Sequence, residues 1–140
     1  MATAAFEALT ALMGAHARLV RGADPKLGGN HGLSVTELAL LRAIEAGNGH
    51  RARPTDLAAE LHLTASGVTR ALLPLEKRGI VKRVADDADG RVSFATLTPA
   101  GRTLVADATA TASELSEKLM KRLSLGQTRQ LIRLLEDIAS

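Results

Sequence analysis

Apolar positions recur every three or four residues over 3–20, where Phe6, Leu9, Leu12, Met13, Leu19 and Val20 share a face and His16 falls among them. This spacing predicts an amphipathic helix. Residues 22–33 read GADPKLGGNHGL, a Gly/Pro/Asn-rich run that predicts a loop. Ser34-Val35-Thr36-Glu37 is a capping-box pattern, in which hydroxyl and carboxylate each satisfy an orphan backbone N–H. The helix it opens carries Leu38, Leu41 and Ile44 on its inner face and stops at Gly47-Asn48-Gly49.

The next stretch, from Pro54 to Gly101, changes period several times. Pro54 suits the first turn of a short helix whose inner face is Leu57, Ala58 and Leu61. His62-Leu63 makes a turn, and Thr64 is an N-cap for a longer helix over about 65–78 that buries Val68, Leu72 and Leu75. Gly79 closes that helix in a left-handed position. Ile80–Val84 and Val92–Leu97 have strand composition, and Asp86-Asp87-Ala88-Asp89-Gly90 between them has hairpin chemistry. Thr98-Pro99 is an N-cap followed by proline at the first helical position. A long helix follows, with Leu104, Val105, Ala108, Ala112, Leu115, Leu119 and Leu123 in one stripe. Ser124–Gln127 is a second capping box, and the last helix carries Leu131, Ile132, Leu134, Leu135 and Ile138.

Short helix, turn, longer helix, strand, charged tip, strand is the order of a winged helix-turn-helix. That module places one helix in the major groove of DNA. The expected fold class is mainly α with a small β-hairpin: a winged helix-turn-helix core plus N- and C-terminal dimerisation helices. Residues 1–48 would hold the N-terminal dimerisation helix and the first helix of the core. Residues 49–100 would form the DNA-binding lobe, and residues 101–140 the C-terminal dimerisation helices. The terminal helices present more apolar surface than so small a lobe can cover. A second copy in a two-fold dimer is the simplest partner.

Charge sharpens this picture. Of a net charge of +3, residues 1–49 contribute four basic and four acidic side chains, and residues 103–140 five of each. Residues 50–102 carry nine Lys/Arg against six Asp/Glu, so the excess sits on the winged-helix segment, as phosphate contact requires. Phe6 and Phe94 are the only aromatics, and without stacking platforms duplex DNA is favoured over single strands or RNA. The absence of cysteine excludes a disulfide framework and a Cys-ligated zinc site. The histidines (His16, His31, His50, His62) are scattered, so no metal site and no cofactor is expected. With no Gly-rich phosphate loop, nucleophile elbow or Cys nucleophile, an enzyme is not expected. No apolar run spans a membrane and no signal peptide is expected, so a cytoplasmic location fits.

The stretches LSVTELALLRAI, PTDLAAELHLTASGVTRALLPLEKRGIVKR and DDADGRVSFATLTPAG together resemble the MarR family of bacterial transcriptional regulators. The pattern L-E-x-x-G-[LIV]-[LIV]-x-R is matched at Leu75 to Arg83, the Asp/Arg-rich wing at Asp86 to Arg91, and L-T-x-x-G at Leu97 to Gly101. The resemblance implies a homodimer on a pseudo-palindromic double-stranded operator. It also implies a repressor released by a small anionic or phenolic effector bound between the two lobes. It assigns base and phosphate contacts to Ser66, Thr69 and Arg70 and a minor-groove contact to Arg91, with Asp89 orienting an arginine. Thr55 and Thr64 lie at helix starts, where backbone N–H groups favour a phosphate, and Gly67 in the first turn would permit close approach to DNA.

Three positions depart from the pattern or from helix preference. Gly90 stands where the family often has the first of two wing arginines. Pro74 inside the recognition helix removes a hydrogen bond to Arg70, at about 3 kcal/mol if unrelieved, and predicts a bend. Gly67 lowers helix propensity by about 1 kcal/mol relative to Ala. His16, on an apolar face, is expected to be a partly buried structural residue; its sharper reading is a lining residue of an effector pocket. A rival from another class is a winged-helix protein-interaction module without DNA binding. Salt separates the two, because only phosphate binding weakens steeply with it.

Overall fold

The computed structural model describes residues 1–140. Six helices and three short strands follow in order: α1 (Ala4–His31), α2 (Val35–Ala46), β1 (Arg51–Ala52), α3 (Pro54–Glu60), α4 (Ala65–Lys77), β2 (Val81–Ala85), β3 (Ser93–Leu97), α5 (Pro99–Leu119) and α6 (Leu125–Ala139). No helix is long and apolar enough to cross a membrane.

The caps legible in the sequence form as read. Ser34 and Ser124 each close a full capping box, with Glu37 and Gln127 respectively. The Thr64 and Thr98 hydroxyls accept from the backbone N–H of Gly67 and Gly101. Gly79 closes α4 at φ +71°. The helix α4 runs through Pro74 without a break.

The expected loop over 22–33 is instead the second half of α1. The helix continues through Pro25 to His31 and ends at Gly32, whose φ of 66° is left-handed. Tertiary contacts override the weak local propensity. Leu27 is fully buried against the core. The Asp24 carboxylate accepts from the Val35 N–H at 2.8 Å, tying α1 to the start of α2. The His31 ring shares a 2.8 Å hydrogen bond with the Thr111 hydroxyl on α5. The Gly32 and Leu33 N–H groups then close the last carbonyls of Gly28 and Leu27.

The expected two-stranded hairpin gains a third strand. The sheet order is β1-β3-β2, antiparallel throughout, with Arg51 opposite Thr96 and Lys82 opposite the same residue on the other side. One apolar core of 18 buried residues joins α1 to α5 and the sheet, and every buried side chain in it is apolar. Leu27, Leu41, Ile44, Leu57, Val68, Leu72 and Leu75 are fully enclosed. The motif glycine Gly101 has a steric reason: a Cβ there would stand 2.1 Å from the Ile80 carbonyl oxygen. Only glycine lets α5 start against Ile80, the residue that leads into β2.

Candidate nucleic-acid interface

Helix α4 has two distinct faces. Val68, Leu72 and Leu75 point into the core, and Ser66, Thr69, Arg70 and Leu73 lie on the opposite, exposed face. That division follows from the 3.6-residue period. It leaves the Arg70 guanidinium on the outer side of the helix with no carboxylate partner, since the ion pairs of the chain are Arg83–Glu76 and Arg91–Asp89. The Thr69 hydroxyl donates to the Ala65 carbonyl at 3.1 Å, which holds its rotamer. Thr64 uses one lone pair on its cap and keeps its O–H free. Gly67 has a local reason for its size, because a Cβ there would come within 2.9 Å of the Thr64 hydroxyl oxygen. Thr55 is exposed in the first turn of α3.

The wing is the turn between β2 and β3. Asp86 N–H donates to Val92 O, and Val92 N–H to Asp89 O, closing the turn. Asp89 accepts from the Arg91 backbone N–H at 3.0 Å and from its Nε and Nη2 at 3.2 and 3.3 Å. This fork holds the Arg91 side chain, which is itself almost fully exposed, at the tip. Arg91 bonding keeps the Asp89 carboxyl below the usual carboxylate range, side chain first and backbone N–H second, and the Arg53 charge adds to the shift.

The other basic residues of the lobe divide. Arg83 pairs with Glu76. Arg78, at the end of α4, donates to the Gly32 carbonyl at 2.7 Å and the His31 carbonyl at 3.1 Å, so its charge sits on the C-terminus of α1. It links α4 to α1, a role its sequence context does not reveal. Arg51 and Arg53 both stack on Phe94. In the sequence only the alternation Arg-Ala-Arg just before Pro54 hints at them.

His16 is exposed in the single chain rather than partly buried, at the open edge of α1. It lines a cleft of about 230 Å³ between α1, α2 and α5 with Leu19, Val20, Leu38, Ser116 and Leu119. The structure therefore separates the candidates into two groups. Ser66, Thr69 and Arg70 share one face of α4, with Asp89 and Arg91 at the wing tip, whereas His16 belongs to a different surface.

A two-faced helix following a short helix and tight turn, flanked by a hairpin with an arginine at its tip, defines a winged helix-turn-helix protein. A family model described as MarR family matches residues 31–92. Over 109 residues the chain is 32% identical to the HTH-type transcriptional repressor Rv2887 of Mycobacterium tuberculosis, covering 78% of this chain and 77% of that one. The chain belongs to the MarR family of transcriptional regulators. Its fold is similar to that of Sco3205, a MarR family transcriptional regulator from Streptomyces coelicolor solved in complex with DNA. The TM-score is 0.88 at 25% identity, covering 99% of this chain and 92% of that one. The transcriptional regulator BldR from Sulfolobus solfataricus gives a TM-score of 0.79 at 25% identity over 98% and 97% of the two chains.

Proposed function

We propose that this chain is a sequence-specific double-stranded DNA-binding regulator, a homodimer that represses from a pseudo-palindromic operator. The observation that carries the reading is the outer face of α4, where Ser66, Thr69 and Arg70 stand clear of the core with hydroxyl and guanidinium groups unpaired by any carboxylate. Hydroxyls bond phosphates or base edges, and Arg reads guanine through two parallel N–H donors. Thr55, Thr64 and Gly67 border the backbone contact, and Arg91, steadied by Asp89, enters the flanking minor groove. The mycobacterial relative is named a transcriptional repressor, which supports the sign of regulation.

The dimer draws support from what the single chain leaves uncovered. Helix α6 contains no buried residue, and Phe6, Leu9 and Met13 of α1 are more than half exposed. The cleft beside His16 supports release by a small molecule. Its lining is mostly apolar and includes no Lys or Arg, so it favours a phenolic or other neutral ligand over an anion.

The test is fluorescence anisotropy of labelled duplex from upstream of the protein's own coding sequence, against a scrambled duplex, across a salt series. Selective binding that weakens with salt is expected. Arg70→Ala should cost about 1–3 kcal/mol and relax preference at one base position. Equal affinity of Arg70→Ala and the parent for all duplexes would remove Arg70 from the reading head. Absence of selectivity by the folded dimer would favour a protein-interaction module instead.

A further inference from the structure

Two guanidiniums share the ring of Phe94. The guanidinium carbon of Arg51 lies 3.9 Å from the ring centroid and that of Arg53 lies 5.5 Å away. The register explains the arrangement. Arg51 is opposite Thr96 and Ala52 opposite Ala95. Successive strand side chains alternate faces. Arg51, Thr96 and Phe94 therefore share the outer face of the sheet, while Ala95 and Leu97 are buried on the inner one. Arg53 follows directly and stands at the start of α3.

Like charges crowded on one ring repel, and neither guanidinium makes an ion pair with a carboxylate. Asp89 of the wing pairs with Arg91 and Glu76 of α4 with Arg83, while Asp86 and Asp87 of the wing pair with no arginine. Arg53 is nonetheless near enough to the wing to help keep Asp89 ionised. Of the nine basic residues in 50–102, Arg78, Arg83 and Arg91 are engaged within the chain, so the free positive charge lies elsewhere. Two of the remaining cations form this pair, next to the tip where Gly90 leaves the wing one arginine short. Stacking fixes the plane of a guanidinium and leaves its N–H edge free, which suits a phosphate oxygen pair.

We propose that Arg51 and Arg53, held on Phe94, form a phosphate-binding shoulder on the outer sheet face that grips the DNA backbone beside each half-site. The proposal rests on the DNA-binding reading above. The shoulder carries no base preference, because it lies on the sheet and not on the groove-facing helix. It supplies the backbone contact that the single wing arginine does not.

The experiment measures anisotropy of the same upstream and scrambled duplexes at several salt concentrations, for the full chain and three variants. Arg51→Gln/Arg53→Gln should weaken both duplexes by the same factor and reduce the slope of log K against log salt by about one for each phosphate no longer neutralised. Arg51→Lys/Arg53→Lys keeps the charge and should keep the slope. Phe94→Leu should keep the slope and weaken binding, because the charges remain but are no longer held. A glutamine pair with the parent slope, or one that changes selectivity between the duplexes, would overturn the proposal. If the parent itself shows no salt-dependent binding, the DNA-binding reading fails first; if only the glutamine pair matches the parent, this inference fails alone.

Discussion

The winged-helix lobe and the terminal helices are built from the same material, amphipathic helices with clean caps, but only the first is covered by its own chain. In the lobe, Leu57, Val68, Leu72 and Leu75 are fully enclosed by neighbouring elements. In the terminal helices, Phe6 is 56% exposed, Ile132 50% and Ile138 72%. Helix α6 has a complete capping box and an apolar stripe, yet packs only weakly on the rest of the chain. A stripe states that burial is needed, and says nothing about whose surface provides it. The lobe is finished in one copy, whereas the terminal helices keep an uncovered stripe that the proposed dimer would bury.

The strongest way to break that comparison is to empty the lobe. Leu57 on α3 is fully buried, and Leu57→Ala should lower unfolding free energy by about 2–5 kcal/mol through lost burial and a residual cavity. Urea denaturation read by circular dichroism checks it. Ile132→Ala in α6 removes a side chain with few neighbours in its own chain, so its cost should appear only where two copies associate. If the two variants unfolded alike at concentrations where the chain is monomeric, the division between lobe and terminal helices would be wrong.

A charge on the uncovered face tests the other side. Ile138 is the most exposed large apolar side chain of α6, and Ile138→Lys places an ammonium in the proposed dimer interface. The dimer dissociation constant should rise by about 100-fold, equivalent to roughly 3 kcal/mol. The lobe should keep its helical signal, and half-site binding should survive while binding to a two-fold site collapses. A variant still dimeric by light scattering at micromolar concentration would move the interface away from α6.

The same contrast explains what could be read without coordinates. Local chemistry was legible: Ser34, Thr64, Thr98 and Ser124 cap the helices expected of them, because a cap needs only residues within one turn. The division of α4 into a buried and an exposed face was legible for a similar reason, since periodicity alone separates Arg70 from Val68 and Leu72. Contacts distant in sequence were not. The loop expected over 22–33 is helix because Leu27, Asp24 and His31 each find partners on α2, α5 or the core. A two-residue strand such as β1 is too short to show a period, so the shoulder of Arg51 and Arg53 stayed hidden until β3 placed Phe94 beside it. Nothing in the neighbouring sequence singles out Arg78, because its partners are carbonyls more than forty residues away.

The wing tip depends on neither a core nor a second copy, and its test has the smallest expected effect. Its order rests on Asp89 and Arg91, both reaching solvent, where ion pairs contribute little. The sign of the pH response follows from the direction of the Asp89 shift. Arg91 holds the folded carboxyl below its ordinary range. The pairing therefore contributes fully above the unfolded-state pKa and is lost as pH falls through the lower, folded one. Between pH 7 and 5 the tip should be unchanged, and Arg91 should be released only under acid conditions that protonate Asp89. An NMR titration following the Asp89 carboxyl carbon and the Arg91 Nε–H together should show one shared midpoint, displaced below that of an unpaired aspartate. Asp89→Asn should remove the Arg91 transition and soften minor-groove binding by less than Arg70→Ala weakens base reading. A midpoint at the ordinary aspartate value would mean that the arginine at the tip is not held, and that the winged lobe is preorganised only as far as its core extends.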